Sequence, residues 1–427
     1  MKFSERAIAF YSVSLLFVAT PFLYGQPDSA QKTASGQPPK TWIDPDTGHR
    51  VIRLTDEPDS ASFYFNVNSY TLDGKEMVYT TPDGISVFDL NTQKTRSVVH
   101  EKVRTIEVGH KTPSIFYIKP DERALYVTNV DTGETRKLAT MPERGSIVTI
   151  NADETLAAGT YEEGQPGEHP YALTSGQQAQ ALDQPQNKGE MMERRLAARV
   201  PLVLFTLDLR TGEMKTLLHS TDWLNHLQFS PTDPHLLLYC HEGPWHKVDR
   251  IWTIRTDGTK NTLIHKRTMF MEIAGHEFWS HDGKIIWFDW QTPRGQDFWL
   301  AGYNVETGKQ TAYHMQRNEW SIHFNVTSDG DLFCGDGGDP GQVAHAPDGE
   351  WIYLFHPELV KGDGIDDINM VQPGVFHAER LVNMSKHNYR LEPNVSFSPD
   401  KKWIIFRSNM FGPTYVFAVE VEKQKQQ

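Results

Sequence analysis

Cysteine is almost absent from this 427-residue chain, with Cys240 and Cys334 the only two, each closing an apolar, β-like run. Two thiols so placed build neither a disulfide framework nor a cysteine cage for a metal, and both read as core residues. Basic residues are in deficit. Lys and Arg number 42 against 55 Asp and Glu, a net charge of -13, which argues against the basic face that nucleic acid requires. An anionic ligand must therefore meet a local exception to the overall charge. Long apolar runs are missing beyond the first residues, so no later segment is fit to span a bilayer.

The early apolar run, about Ala7 to Leu23, follows Lys2 and Arg6 and precedes the small Gly25. Residues 1–25 read as a secretory signal peptide, with an uncleaved anchor as the alternative, and residues 26–45 as a polar linker opening "QPDSAQKTASGQPPK". The expected location is secreted or periplasmic, with no membrane attachment after cleavage. What the chain does have is a composition 38% hydrophobic and 11% aromatic, ample for a packed core.

It also has repeats. An apolar strand, a turn and a second apolar strand recur in "NSYTLDGKEMVY", "IVTINADETLAAG", "LQFSPTDPHLLLY", "EFWSHDGKIIWF", "FNVTSDGDLF" and "VSFSPDKKWIIF". In the fourth, Asp282-Gly283 reads as a two-residue hairpin turn. Several repeats are followed by a second hairpin with an Asp/Glu-Thr-Gly turn, as in "VTNVDTGETRKL" and "LDLRTGEMKTLL". Units of four strands spaced 40 to 50 residues apart are the signature of propeller blades. The fold class is all-β: a seven-bladed β-propeller over residues 46–424, four antiparallel strands per blade, with blades opening near residues 60, 105, 145, 223, 273, 320 and 388. The segment Val51 to Leu54 is placed to complete the last blade. Residues 161–200 interrupt the third blade and end in a predicted helix, "GEMMERRLAAR", placed to cap one face.

Aligning the inner hairpins on their turns puts four polar residues in one register. His276, His323 and Asn394 each lie six residues before a turn aspartate, and His226 joins them with one extra residue in its turn. The innermost strand of a blade descends the central channel, so these side chains point to one channel mouth. Glu392 precedes Asn394 by two residues and shares its face if the strand alternates. Polar residues lining a wet channel are the bland explanation. Three histidines in one register beside a carboxylate favour a divalent metal or a catalytic histidine cluster. One or two imidazoles with Glu392 and the Asn394 amide suit Mn²⁺, with Ca²⁺ as the oxygen-preferring alternative. The returning strands add His241, Arg294 and Arg407 to the same rim, and Arg390 stands beside Glu392.

The motifs "CHEGP", "HEFWSHDG", "IHFNVTSDG" and "SFSPD" together resemble the oligogalacturonate lyases, seven-bladed propellers that cleave short pectin fragments with a bound Mn²⁺. The resemblance runs over the whole propeller. It implies that His276 is a metal ligand and that His241 is the Brønsted base. The family's other ligands come from a Gln-x-x-His-x-His string, which here reads Tyr389-Arg390-Leu391-Glu392-Pro393-Asn394, so Glu392 and Asn394 stand where the family has histidines.

The reaction so implied is β-elimination on a uronate. A cation on the sugar carboxylate stabilises the carbanion that forms next to it, and a neutral imidazole removes the proton. His276, Glu392 and Asn394 are then the metal ligands and His241 the base. His226 and His323 complete the site or bind substrate, and Arg294, Arg390 and Arg407 bind carboxylates through their bidentate geometry. The expected partner is an acidic oligosaccharide. Two other readings stay open: a lyase or hydrolase acting on a different acidic glycan, and a non-catalytic binding propeller of the TolB-like kind that shares the "SPDG" hairpins.

Overall fold

Seven blades succeed one another along the chain in the computed structural model, which describes residues 38–164, 187–342, 346–362 and 370–423. The second blade shows the plain pattern: Arg104–Val108, Ser114–Lys119, Ala124–Asn129 and Thr135–Thr140 pair in chain order, all antiparallel. The third, fourth and fifth open with Gly145–Ile150, Trp223–Phe229 and Ile273–Trp279 and repeat it. In the last blade, Arg50–Arg53 pairs antiparallel with Tyr415–Glu420, so the N-terminal part of the propeller completes its last blade as the sequence suggested. Thr41–Ile43 adds an outermost strand there, within the segment expected to be linker. The expected signal peptide lies outside the described residues.

Three departures from a regular propeller matter. The first blade has three strands, and its innermost segment joins their ladder only through the isolated bridges Ala61↔Thr80 and Tyr70↔Met77. Freed from the ladder, that segment carries Tyr64 and Phe65 toward the histidines. The fifth and sixth blades fuse at their outer edges, because the 13-residue strand Val371–Asn383 runs past its partner and pairs parallel with Gln310–His314. That pairing covers two edges that would otherwise stand open. The turn at Asp282-Gly283 is wider than two residues. The Gly283 amide donates to Ser280 O, only Gly283 takes a positive φ (70°), and the Asp282 carboxylate accepts from the Ser280 hydroxyl and the Lys284 amide. A two-residue type I′ turn needs φ > 0 at both central positions.

Aromatic side chains fill the space between blades. Phe278, Trp287, Phe298, Phe333, Phe355 and Phe376 form one cluster joining the fifth and sixth blades, all buried. Truncating any of these rings to Ala removes a large apolar contact worth about 3–5 kcal/mol.

The third blade is interrupted between Leu156–Glu162 and Leu202–Asp208. The described part of the insertion is the helix Lys188–Ala198, capped at its start by the Asn187 side chain, which accepts from the Glu190 amide at 3.0 Å. It is held at one channel mouth from two sides. Arg195 is buried against Glu162 at 3.5 Å and lies over the Trp223 ring, while Glu193 meets Lys247 at 2.8 Å.

Candidate functional site

The inner strands of blades two to five each slip register at one place, between Thr105 and Glu107, Ile147 and Thr149, Asn225 and Gln228, and Gly275 and Phe278. Such bulges re-aim a side chain. In the fourth and fifth blades the bulge carries His226 and His276, each at φ 46°, and Asn394 in the seventh has φ 55°. A non-glycine residue in this left-handed region is uncommon and strained, and such strain clusters at functional sites. Three of the four residues placed in one register by the sequence thus share an unusual backbone.

His276 and His323 meet edge to face with ring centroids 4.9 Å apart. Phe65 stacks on His323 at 4.6 Å, and its amide donates to Asn394 Oδ1 at 3.2 Å. The buried Asp336 gathers the rest: it accepts from the His323 amide and the Asn394 amide and pairs with His323 Nδ1 at 2.8 Å. Three of the histidines are held by a carboxylate at Nδ1: His276 by Asp289 at 3.0 Å, His323 by Asp336, and His241 by Asp222 at 2.9 Å. This partner fixes the ring and, in His276 and His241, leaves Nε2 for chemistry, the arrangement usual around metal-binding and basic histidines. Burial pushes the His323 imidazole below its ordinary range against the pull of Asp336, so it is neutral at pH 7. Bonding to His241 holds the Asp222 carboxyl low, so it is ionised.

A cavity of about 460 Å³ opens at this mouth. His276, Glu392 and Arg294 line it, with Trp245, Gln291 and Gln342, and the capping helix contributes Lys188 and Glu193. Trp245 is positioned by a close approach, since a Cβ at Gly275 would fall 2.6 Å from its ring. Of the residues expected at the site, His276, Glu392 and Arg294 share this cavity, and His323 stands behind it, its Nε2 3.2 Å from the Tyr64 hydroxyl and 3.8 Å from Glu392.

The others are placed differently. The Asn394 side chain is spent on backbone, accepting from Phe65 and donating to Glu392 O at 3.0 Å. Glu392 and Asn394 do not share a strand face, because the strand there is only Ser396–Phe397 and Asn394 itself is left-handed. Arg407 donates to Glu392 O at 2.8 Å, tying down the same segment from behind, and Arg390 is exposed outside the cavity. His241 is not among the lining residues; its ring stacks on Trp252. His226 pairs with Glu242 at 3.1 Å.

Glu277, next to His276 on the strand Ile273–Trp279, belongs to a buried charge cluster. Arg250 donates to Glu277 at 3.0 Å and to Glu242 at 2.7 Å, with its guanidinium over the Trp245 ring, and all three charged side chains are buried. Burial alone would raise both carboxyls, yet Arg250 holds each below its ordinary range. Nothing in the repeats pointed to Arg250, Asp289 or Asp222. Cross-strand placement was the available signal for one of them, since Asp289 pairs with Gly275, next to His276.

One further carboxylate shapes the rim. Glu272, just before His276's strand, accepts from His265, Trp290 and the amides of Thr268 and Met269. Burial pushes its carboxyl up, but these bonds outweigh it and hold it at about 2. Its folded value lies below that of an unfolded glutamate, so the stabilisation is present above about pH 4.3 and is lost as the pH falls toward 2. Glu272→Gln should lower stability at neutral pH by about 1–3 kcal/mol. Thermal unfolding followed across pH should show the gap to wild type closing in that acid window.

The comparisons with known proteins agree over the whole propeller. The oligogalacturonide lyase of Pectobacterium atrosepticum is 26% identical over 405 residues, covering 89% of this chain and 95% of that protein. The oligogalacturonate lyase of Dickeya dadantii is 25% identical over 396 residues with the same coverage. Two solved structures share the fold with TM-scores of 0.71: an oligogalacturonate lyase in complex with manganese, at 23% identity, and an oligogalacturonate lyase from Vibrio parahaemolyticus, at 22%. Each covers 90% of this chain and is itself covered over 96%. A family model described as oligogalacturonate lyase matches residues 37–424, nearly the entire chain, and this protein is a lyase belonging to that family.

Proposed function

We propose that the chain cleaves short uronate-containing oligosaccharides by metal-assisted β-elimination, with the cavity at His276 as the substrate site. The observation that carries this reading is the pairing, in one cavity, of a carboxylate-fixed histidine with a half-exposed acidic side chain, Glu392, and with the cations Arg294 and Lys188. On a chain of net charge -13, those two cations offset the lining carboxylates Glu193 and Glu392 and give an anionic sugar groups to pair with.

The residues present fit a divalent cation. Asp289 is buried with one oxygen on His276 and the other, Oδ2, without a hydrogen-bond partner, which leaves uncompensated negative charge behind the imidazole. His276 Nε2 and the Glu392 carboxylate would hold the ion, with His323 behind them. A nitrogen-plus-carboxylate set suits Mn²⁺, the ion in the manganese-bound relative, better than Ca²⁺, which takes oxygen ligands throughout. When bound, the ion would draw charge from the uronate carboxylate and acidify the neighbouring carbon.

The protein's own groups do the rest. Arg294 offers a fork to the sugar carboxylate at the cavity edge. Trp245 offers an apolar wall. His241, hydrogen-bonded at Nδ1 to Asp222 and standing outside the residues that line the cavity, is the base this reading assigns: with the sugar reaching it, Nε2 would take the proton next to the carboxylate, and that electron pair forms the carbon–carbon double bond and expels the glycosidic oxygen. A different acidic glycan is the second reading, favoured by Glu392 and Asn394 standing where relatives of the family carry histidines. Export to the periplasm or beyond accords with the charged and apolar pattern of residues 1–25.

The test is a panel of acidic oligosaccharides, with and without Mn²⁺, read by the ultraviolet absorbance of an unsaturated uronate, which hydrolysis does not generate. Oligogalacturonate should give the strongest signal, and silence across the panel would reject the elimination. His276→Ala should bind Mn²⁺ more weakly by more than the roughly 10–100-fold that outer partners of a ligand are worth. Equal metal content in wild type and mutant would place the ion elsewhere.

A further inference from the structure

We infer that His226, Cys240 and Glu242 form a second divalent-metal site, distinct from the cavity at His276 and with the ligand chemistry of zinc. Their ligand atoms lie within 4.8 Å of one another, the one such group of three among the described residues. The fold explains the convergence. Cys240 and Glu242 are two apart on the strand Leu236–Glu242 and so share a face, and Asn225 pairs with Cys240 just before the bulge that turns His226. The left-handed backbone of His226 swings its ring across the ladder to that face, where Nε2 reaches 3.1 Å from Glu242 Oε2.

Glu242 divides its two oxygens. Oε1 accepts from Arg250 and from the Trp245 indole at 3.0 Å, and Oε2 faces His226. With a neutral His226 the charges do not balance without a further cation. Glu242 and Glu277 are two buried carboxylates sharing the single guanidinium of Arg250, a residual charge of one that water cannot screen. A divalent ion with a Cys240 thiolate supplies one net positive charge and closes the balance.

Donor type selects the ion. One thiolate, one imidazole and one carboxylate oxygen match a borderline-soft cation bound by three protein ligands, with a fourth position left for water. Bond lengths of about 2.0–2.3 Å put tetrahedral donors roughly 3.3–3.8 Å apart, so donors now within 4.8 Å of one another need to close by about 1.3 Å at most. His226 also borders a cavity of about 410 Å³ on the channel, with Glu107, Gln228 and His281, which gives an entry path. A thiol that binds as thiolate releases its proton to solvent.

The experiment uses the full chain stripped of metal and titrated with Co²⁺, whose bond to a thiolate gives a charge-transfer band in the near ultraviolet. One equivalent should generate the band, and Zn²⁺ should displace it. Cys240→Ser should abolish the band, while Cys334→Ser and His276→Ala should keep it. His226→Ala, a change at a partly exposed side chain that leaves the core intact, should weaken Co²⁺ binding more than about 10-fold. Absence of a sulfur band in wild type at millimolar Co²⁺, or its persistence in Cys240→Ser, would overturn the site and leave His226 and Glu242 as an ordinary ion pair beside a core thiol. Because the readout is a spectrum, failure of the elimination reading does not touch it.

Discussion

Arg250→Met should destabilise the protein by about 3–5 kcal/mol, the range observed when one partner of a buried ion pair is removed. Methionine fills much of the same volume, so the loss is electrostatic. The Glu242 and Glu277 carboxylates would face each other across a low-dielectric gap without the guanidinium that keeps both ionised. The damage should reach the cavity, because Trp245 rests on that guanidinium and its indole donates to Glu242. Arg250→Lys should recover only part of the stability, since one ammonium cannot reproduce the fork that reaches both acids. Denaturant midpoints for the three proteins measure this directly. A midpoint for Arg250→Met within experimental error of wild type would mean that the two carboxyls bind protons instead and that the cluster is not held together by charge.

The blade pattern was legible because it depends on short-range signals. Turn residues at fixed offsets and a period of two within each strand identify inner hairpins wherever they fall, and the spacing between hairpins then counts blades. His276, His323 and Asn394 could be aligned for the same reason. What the alignment could not carry was the bulge. A single extra residue in the inner strand rotates His226 and His276 out of the alternation, and nothing in "NHLQF" or "GHEFW" announces a left-handed histidine. Glu392 and Asn394 were assigned one face on the strength of an alternation that their segment does not possess.

The partners of the histidines were hidden by distance along the chain. Asp289 and Asp336 each lie 13 residues from the histidine they hold, Asp289 on the returning strand of its hairpin and Asp336 one residue past the returning strand Phe333–Gly335, where a sequence shows only one more aspartate near a turn. Tyr64 and Phe65 reach His323 from the far end of the chain, across 259 residues in the case of the Tyr64 hydroxyl. Their arrival depends on the first blade lacking a regular inner strand, an absence that a repeat-based reading fills in by default.

His241→Ala should lower turnover by roughly 10² to 10⁴, the usual contribution of a positioned general base, while leaving divalent-metal content at the His276 cavity unchanged. The geometry supports separate roles. His241 lies on the returning strand of the fourth blade, held by Asp222 and stacked on Trp252, whereas His276 opens the descending strand of the fifth and answers to Asp289. Asp222 is itself bridged by Arg199, which follows the capping helix, so the base is tied to the element that covers the cavity. Asp222→Asn should then mimic much of the His241 defect, because an amide in place of the carboxylate no longer selects the tautomer with Nε2 free or stabilises the imidazolium formed on proton transfer. Rate–pH profiles discriminate base from structural support. The wild-type rate should fall on the acid side as the base takes up a proton, and that fall should disappear from the residual activity of His241→Ala. Loss of metal from His241→Ala would instead make it a ligand. Full activity in that mutant would pass the proton transfer to His323, which is already neutral, faces Tyr64 and stands within reach of Glu392.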